Sequence, residues 1–154
     1  MLRKFEYVSR VVSTGNEMKE IKFELPKRST KKSGGYDFFV PEDIVCKAHS
    51  ITLVKSGVKA YFPDNEVLLL FNRSSNPKKK GLIIPNGVGV VDADYVDNAD
   101  NEGEIGGLFY NMLDEDVTLK AGEKMMQGIF VQYGITDNDN AEGIREGGFG
   151  STGR

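Results

Sequence analysis

Apolar residues in this chain come in short alternating or continuous runs, and Gly, Pro and Asn interrupt them before any run reaches helix length. Val58, Ala60 and Phe62 alternate ahead of the turn cluster Pro63-Asp64-Asn65, and residues 67–71 follow as a continuous apolar run suited to a buried strand. Residues 82–91 are apolar except around Pro85-Asn86-Gly87, a second turn or bulge signal. Leu108-Phe109-Tyr110 and residues 125–133 extend the series. Over residues 17–25 a short helix competes with a strand, and the alternation of Ile21, Phe23 and Leu25 favours the strand. Short strands at this spacing predict an all-β domain, whether sandwich, jelly roll or barrel. With 154 residues and neither an internal repeat nor an interdomain linker, one such domain is expected.

Composition narrows the function. One cysteine, Cys46, rules out an internal disulfide and a multi-cysteine zinc site, and one histidine, His49, rules out a histidine-rich metal site. The net charge of −3 gives the whole chain no basic footprint for nucleic acid. No apolar run approaches the roughly 20 residues of a membrane helix. The first six residues carry charges where a signal peptide needs an apolar stretch. A cytoplasmic protein without membrane or nucleic-acid partners is therefore expected. Charge is nonetheless uneven: residues 81–119 hold no Lys or Arg and nine acids, while Lys78-Lys79-Lys80 stands just before them. Such runs are most often solvated loops, yet acidic and basic segments of one chain can also meet around a polyanion bound with a metal ion.

Several segments look built for a site. Glycines lead into a carboxylate at Gly34-Gly35-Tyr36-Asp37, which also reads as a plain hairpin turn. Arg73-Ser74-Ser75 follows the apolar run 67–71 as a phosphate grip or a simple turn. From Asn86 to Tyr95, an Asn-Gly turn and small or branched residues run into Asp92 and Asp94, predicting a hairpin whose backbone grips a planar base. Gly122-Glu123-Lys124-Met125-Met126-Gln127 opens a strand that places an amide inside the fold. Finally, Arg145-Glu146-Gly147-Gly148-Phe149-Gly150-Ser151-Thr152-Gly153-Arg154 combines arginines, hydroxyls and glycine with one aromatic ring. It is either a flexible terminus or a lid closing on phosphate through backbone N–H groups, hydroxyls and Arg. The domain is expected over residues 1–136, with a mobile tail over 137–154 that closes over the active site.

In order, these five segments resemble the five motifs of the trimeric deoxyuridine triphosphatases. The likeness covers most of the chain, and the acidic insertion described below points to a Gram-positive bacterium or its phage. The resemblance implies a jelly-roll-like β-barrel subunit in a homotrimer with active sites at subunit interfaces. It implies Mg²⁺-assisted hydrolysis of dUTP to dUMP and pyrophosphate, limiting uracil in DNA and supplying dUMP for dTMP synthesis. By matching position, Asp92 would activate water for attack on the α-phosphate, and Tyr95 would pack under the deoxyribose and exclude a 2′-hydroxyl. The backbone from Asn86, with Gly89 and Val91, would read uracil. Arg73, Ser74 and Ser75 would bind phosphates from a neighbouring subunit, and Gln127 would hold the water or the α-phosphate. Asp37 would reach the metal through its bound waters, the ion being held mainly by the triphosphate. Phe149 would cover the uracil, and Arg145, Gly150, Ser151 and Thr152 would bind the β- and γ-phosphates.

Two departures mark this chain. Seven residues, 96–102, separate Tyr95 from Gly103-Glu104 where the family usually has about one, and this acidic insertion would be a natural contact surface for a protein partner. Arg145 stands one residue nearer the glycines than the family's arginine. The competing readings are a dCTP deaminase, for which no suitably placed glutamate is found, and a dUTP-binding trimer that signals to a partner without catalysis.

Overall fold

The computed structural model describes residues 3–14 and 17–150. Thirteen strands account for nearly all its regular structure: β1 (Lys4–Tyr7), β2 (Ser13–Thr14), β3 (Glu17–Met18), β4 (Tyr36–Phe39), β5 (Ile44–Cys46), β6 (Ile51–Lys55), β7 (Val58–Tyr61), β8 (Glu66–Asn72), β9 (Leu82–Ile83), β10 (Gly89–Asp92), β11 (Gly106–Asn111), β12 (Val117–Leu119) and β13 (Lys124–Gln132). Two short helices, α1 (Ser9–Val12) and α2 (Ser75–Lys80), and a 3₁₀ turn over Ala93–Tyr95 complete it. Every ladder is antiparallel: a four-stranded sheet β10-β8-β13-β4, a three-stranded sheet β6-β11-β9, and the pairs β1-β7, β12-β5 and β2-β3. The expected all-β class holds.

The turn clusters act as corners between sheets rather than hairpin tips. Pro63-Asp64-Asn65 separates β7, which pairs with β1, from β8, which pairs with β10 and β13. Pro85-Asn86-Gly87 likewise separates β9, paired with β11, from β10, paired with β8. The hairpin expected between Asn86 and Tyr95 is thus a corner, with Gly87 at φ +78° and its N–H on the Ile84 carbonyl. Over residues 17–25 only Glu17–Met18 is strand. The alternation there still has a cause: Phe23 is buried, and Ile21 and Leu25 pack on the small cluster of Val8, Val11, Phe39 and Val58.

Helix α2 escaped the sequence reading because Pro77 and three lysines look like loop. Pro77 is its third residue, where an N–H would have no intrahelical partner. Lys78, Lys79 and Lys80 occupy its last turn, where cations complement the helix dipole. Gly81 closes it at φ +62°, its N–H returning to the Pro77 carbonyl.

The main core joins Phe38, Val40, Leu68, Leu70, Phe109, Leu119, Met125 and Met126 across the sheets. A register shift between Lys124 and Met126 on β13 is central to it. The extra residue at the bulge lets the neighbours Met125 and Met126 both point inward, fully buried, so that Gln127 faces outward. Gly128, opposite Leu70, leaves room for Phe38 and Leu68; a β-carbon there would lie 2.9 Å from Phe38 Cε2 and 3.0 Å from Leu68 Cδ1. Gly128→Ala is therefore expected to cost about 1–3 kcal/mol by overpacking, measured as a lower denaturant midpoint at unchanged m-value.

Candidate active site

Two cavities carry the residues singled out from the sequence. The first, about 270 Å³, is bounded by β10, the Ala93–Tyr95 turn, the start of β11 and the tail; Asn86, Gly89, Val91, Asp92, Tyr95, Arg145, Phe149 and Gly150 line it. β10 is the edge strand of its sheet, so its outer side offers backbone donors and acceptors to a ligand. Gly89 is needed there for packing, since a β-carbon would come within 3.0 Å of Leu70. Tyr95 is 8% exposed and belongs to the core; its hydroxyl donates to the Glu104 carbonyl (3.1 Å) and accepts from Asn101 Nδ2 (2.7 Å). Burial raises its pKa, so it stays a neutral ring with a fixed hydroxyl. Phe149, 62% exposed, meets the Tyr95 ring edge-on with centroids 6.2 Å apart.

Asp92 and Asp94 share one cation. Arg145 reaches Asp92 Oδ2 through Nη2 at 2.6 Å and Asp94 Oδ1 through Nε at 2.8 Å, with its own side chain only 9% exposed. The expected phosphate ligand of the tail thus rests on the expected base.

The second cavity, about 250 Å³, is lined by Ser29, Ser33, Gly35, Asp37, Arg73, Ser74 and Gln127. Register explains the grouping: Gln127 on β13 stands opposite Asp37 on β4 and Phe71 on β8, and Arg73 follows the end of β8. The Gln127 amide donates to the Asn72 carbonyl (3.3 Å). Gly35 lies beside it, and a β-carbon there would displace Gln127 Oε1 from its place. Asp37 takes bonds from Lys124 Nζ (2.8 Å) and Ser29 Oγ (2.7 Å), with Arg73 Nε at 3.6 Å. Burial works to raise the Asp37 pKa, but these bonds and the charges of Lys124 and Arg73 outweigh it and hold the carboxylate below its ordinary range. No residue lines both cavities. Ser75 opens α2 without lining this cavity, and Ser151 and Thr152 lie outside the described residues.

The sequence reading missed Lys124 as the partner of Asp37, and it missed what the insertion does. All three carboxylates of residues 96–102 are engaged within the chain. Asp97 and Glu102 take Lys59 Nζ at 2.6 and 3.0 Å, Asp97 also accepts from the Tyr61 hydroxyl, and Glu102 accepts from Ser9 N–H. Asp100 accepts from Gly148 N–H at 2.7 Å. Asn98 accepts from the Asp100 and Asn101 amides and donates to the Tyr95 carbonyl. The spacing Asn98-Ala99-Asp100-Asn101 was the available signal, because such side chains fold a turn onto their own backbone.

A family model described as dUTPase matches residues 21–153. The deoxyuridine 5′-triphosphate nucleotidohydrolase of Lactococcus lactis subsp. lactis is 42% identical over 154 residues, 99% of this chain and 98% of the relative. The crystal structure of dUTPase from Streptococcus mutans is 44% identical, with a TM-score of 0.77 over 87% of this chain and 98% of that one. A mutant dUTPase from phage phi11 of S. aureus, whose structure is described as revealing the coordination of a structural Mg(II) ion, shares the fold at 20% identity, with a TM-score of 0.67 over 93% and 98% of the two chains. The jelly-roll-like fold expected from the motifs is therefore the right one, and the first two relatives agree with the expected Gram-positive source.

The insertion's ion pairs set a pH window. Lys59, 10% exposed, is pulled toward a lower pKa by burial, but Asp97, Glu102 and Tyr61 outweigh that and raise it. Asp97 is lowered chiefly by Lys59; in Glu102, burial works upward and the bonds from Ser9 and Lys59 prevail. Carboxylates depressed on folding stabilise above their ordinary pKa and lose that contribution as pH falls through the folded value; the raised lysine stabilises below its ordinary pKa and loses its share only at strongly alkaline pH. Amide exchange across residues 97–102 should therefore show constant protection from about pH 5 to 9 and loosening below about pH 4, and Lys59→Met should remove the plateau.

By fold, by motif and by relatives spanning nearly its whole length, this chain belongs to the dUTPase family.

Proposed function

We propose that the chain hydrolyses dUTP to dUMP and pyrophosphate as a homotrimer, each active site combining the nucleoside cavity of one copy with the phosphate cavity of another. The observation that carries this reading is the separation of the two cavities within one chain, one built for a base and sugar, the other for an anion. The edge backbone of β10 near Asn86, Gly89 and Val91 suits uracil, whose imide N–H between two carbonyls needs alternating backbone partners. Tyr95, held by Glu104 and Asn101, forms a fixed wall against a 2′-hydroxyl. Arg73, Ser74 and Gln127 of the second cavity receive the phosphates, with Ser75 reaching them from the start of α2.

Asp92 takes a proton from the attacking water as its oxygen bonds to the α-phosphorus; the bond from that phosphorus to the β-bridging oxygen breaks, and pyrophosphate leaves with the electron pair. Arg145 must first release Asp92, and the β- and γ-phosphates, joined by Gly150, Ser151 and Thr152, are its next partners. Residues 137–154 act as the lid, with Phe149 over the base.

Among the described residues no group of three or more His, Cys, Asp or Glu could cage a metal ion. A Mg²⁺ that keeps several waters and binds mainly to substrate phosphates needs no cage, and the single carboxylate of Asp37 beside Arg73 and Gln127 fits that role through water. Such an ion, when bound, offsets charge on the leaving pyrophosphate. No helix among the described residues is long and apolar enough to cross a membrane; a cytoplasmic site of action, limiting uracil in DNA and supplying dUMP, is part of the proposal. A protein partner at residues 96–102 would meet carboxylates already engaged within the chain.

The test incubates the protein with each nucleoside triphosphate and Mg²⁺ while following pyrophosphate and ammonia separately. dUTP should release pyrophosphate alone and far faster than UTP. Asp92→Asn should still bind dUTP but turn over about 10²–10⁴-fold more slowly, the usual worth of a general base. Near-normal turnover would remove Asp92 from that role. Sedimentation under assay conditions should show a trimer, and an active monomer would overturn the shared site.

A further inference from the structure

We propose that Asp100 and Asn101 are positioning residues, through which the insertion over residues 96–102 fixes both the ring facing the sugar and the tail covering the base. The inference deepens the dUTP reading and rests on it for the sugar, the base and the activity readout, while the contacts themselves stand without it. Asp100 Oδ2 accepts the Gly148 N–H at 2.7 Å, and the next residue, Phe149, is thereby set edge-on to Tyr95. Asn101 Nδ2 donates to the Tyr95 hydroxyl at 2.7 Å. Adjacent residues of one loop thus hold the two aromatic groups of the nucleoside cavity.

The loop is rigid enough for this work. Asp97 and Glu102 have φ of +59° and +62°, conformations that cost L side chains energy and persist where surrounding bonds over-determine them. Lys59, Tyr61 and Ser9 supply those bonds. Gly103 at φ +78° has no room for a β-carbon, which would strike the Val96 backbone. The Asn101 carboxamide cannot shift, because its oxygen also accepts from Gly103 N–H (3.0 Å) and Asn98 Nδ2 (2.7 Å).

This immobility defines the fit of the tail. A β-carbon on Gly148 would lie 3.0 Å from Asn101 Nδ2 and 3.3 Å from its Cγ. A side chain at residue 148 would therefore require Asn101 to give by a few tenths of an ångström, a demand the insertion imposes in addition to any made by phosphate. Gly148 is itself buried, so the loss of its carboxylate partner would leave an unsatisfied N–H.

The test uses full-length protein throughout. In ligand-free protein, Asp100→Ala should speed exchange of the Gly148 amide, and it should lower kcat/KM for dUTP, each by about tenfold, the worth of a hydrogen bond to a charged group. Asp100→Asn keeps an acceptor oxygen and should restore most of both. Gly148→Ala should impair kcat/KM, and Asn101→Ala should relieve that impairment in the double variant while narrowing the dUTP/UTP preference on its own. Unchanged Gly148 exchange in Asp100→Ala would overturn the proposal even if the enzyme is active. So would a Gly148→Ala defect that Asn101→Ala leaves in place. Wild-type protein that fails to hydrolyse dUTP would overturn the function proposed above, while the exchange measurement would still decide the contact.

Discussion

Strand β13 is paired on both edges from Met126 to Gly128, and the bulge before Met126 decides which of its side chains face the core. Side chains on a strand alternate, so a slip of one residue would bring Gln127 inward and drive a methionine out toward solvent. Pairing on both sides forbids the slip, because β4 and β8 would each have to move with it. The second cavity inherits its geometry from this constraint. Asp37 lies opposite Gln127 on one side, and Arg73 leaves the end of β8 on the other. The meeting of Asp37, Arg73 and Gln127 at that cavity is thus a consequence of register in the largest sheet.

The insertion is held by a different kind of force. Buried or half-buried ion pairs contribute little net stability against apolar residues of equal volume, but removal of one partner leaves a charge without compensation. Lys59 clasps the two ends of the loop through Asp97 and Glu102, and Glu104, two residues beyond it, takes Arg10 and the Gly57 N–H while its carbonyl holds Tyr95. The seven residues of the insertion are therefore tied into the body at both ends. Their acidity, prominent in the sequence, is taken up by partners within the chain.

Strand existence was legible because alternation and turn residues act locally: Val58, Ala60, Phe62 and the run before Arg73 behave as periodicity demands. The family was legible because its motifs combine unusual residues in a fixed order. The pairing of strands was not legible, and so the segment from Asn86 to Tyr95 read as a hairpin when its Asn-Gly turn makes a corner between sheets; which ladder a strand joins is a tertiary matter. Helix α2 was hidden by Pro77, which disfavours a helix interior yet is harmless in a first turn. The insertion failed for a related reason. Composition reports that Asp97, Asp100 and Glu102 are charged, whereas their partners Lys59, Tyr61, Ser9 and Gly148 lie up to 93 residues away in sequence.

The tail is held at two points of unequal strength. Arg145, itself 9% exposed, bridges Asp92 and Asp94, whose side chains are more than half exposed, so water screens the carboxylate end of each pair and the guanidinium keeps a charge to offer another anion. Gly148 N–H is buried, so breaking its bond to Asp100 incurs the desolvation of an unpaired donor as well as the loss of a charge-assisted contact. A polyanion entering the nucleoside cavity therefore competes well for Arg145 and has no comparable claim on Gly148. In the proposed reaction this asymmetry gives the order of events: the guanidinium leaves the aspartate for phosphate, the base becomes free to accept a proton, and the segment carrying Phe149 stays anchored by the insertion while it does so.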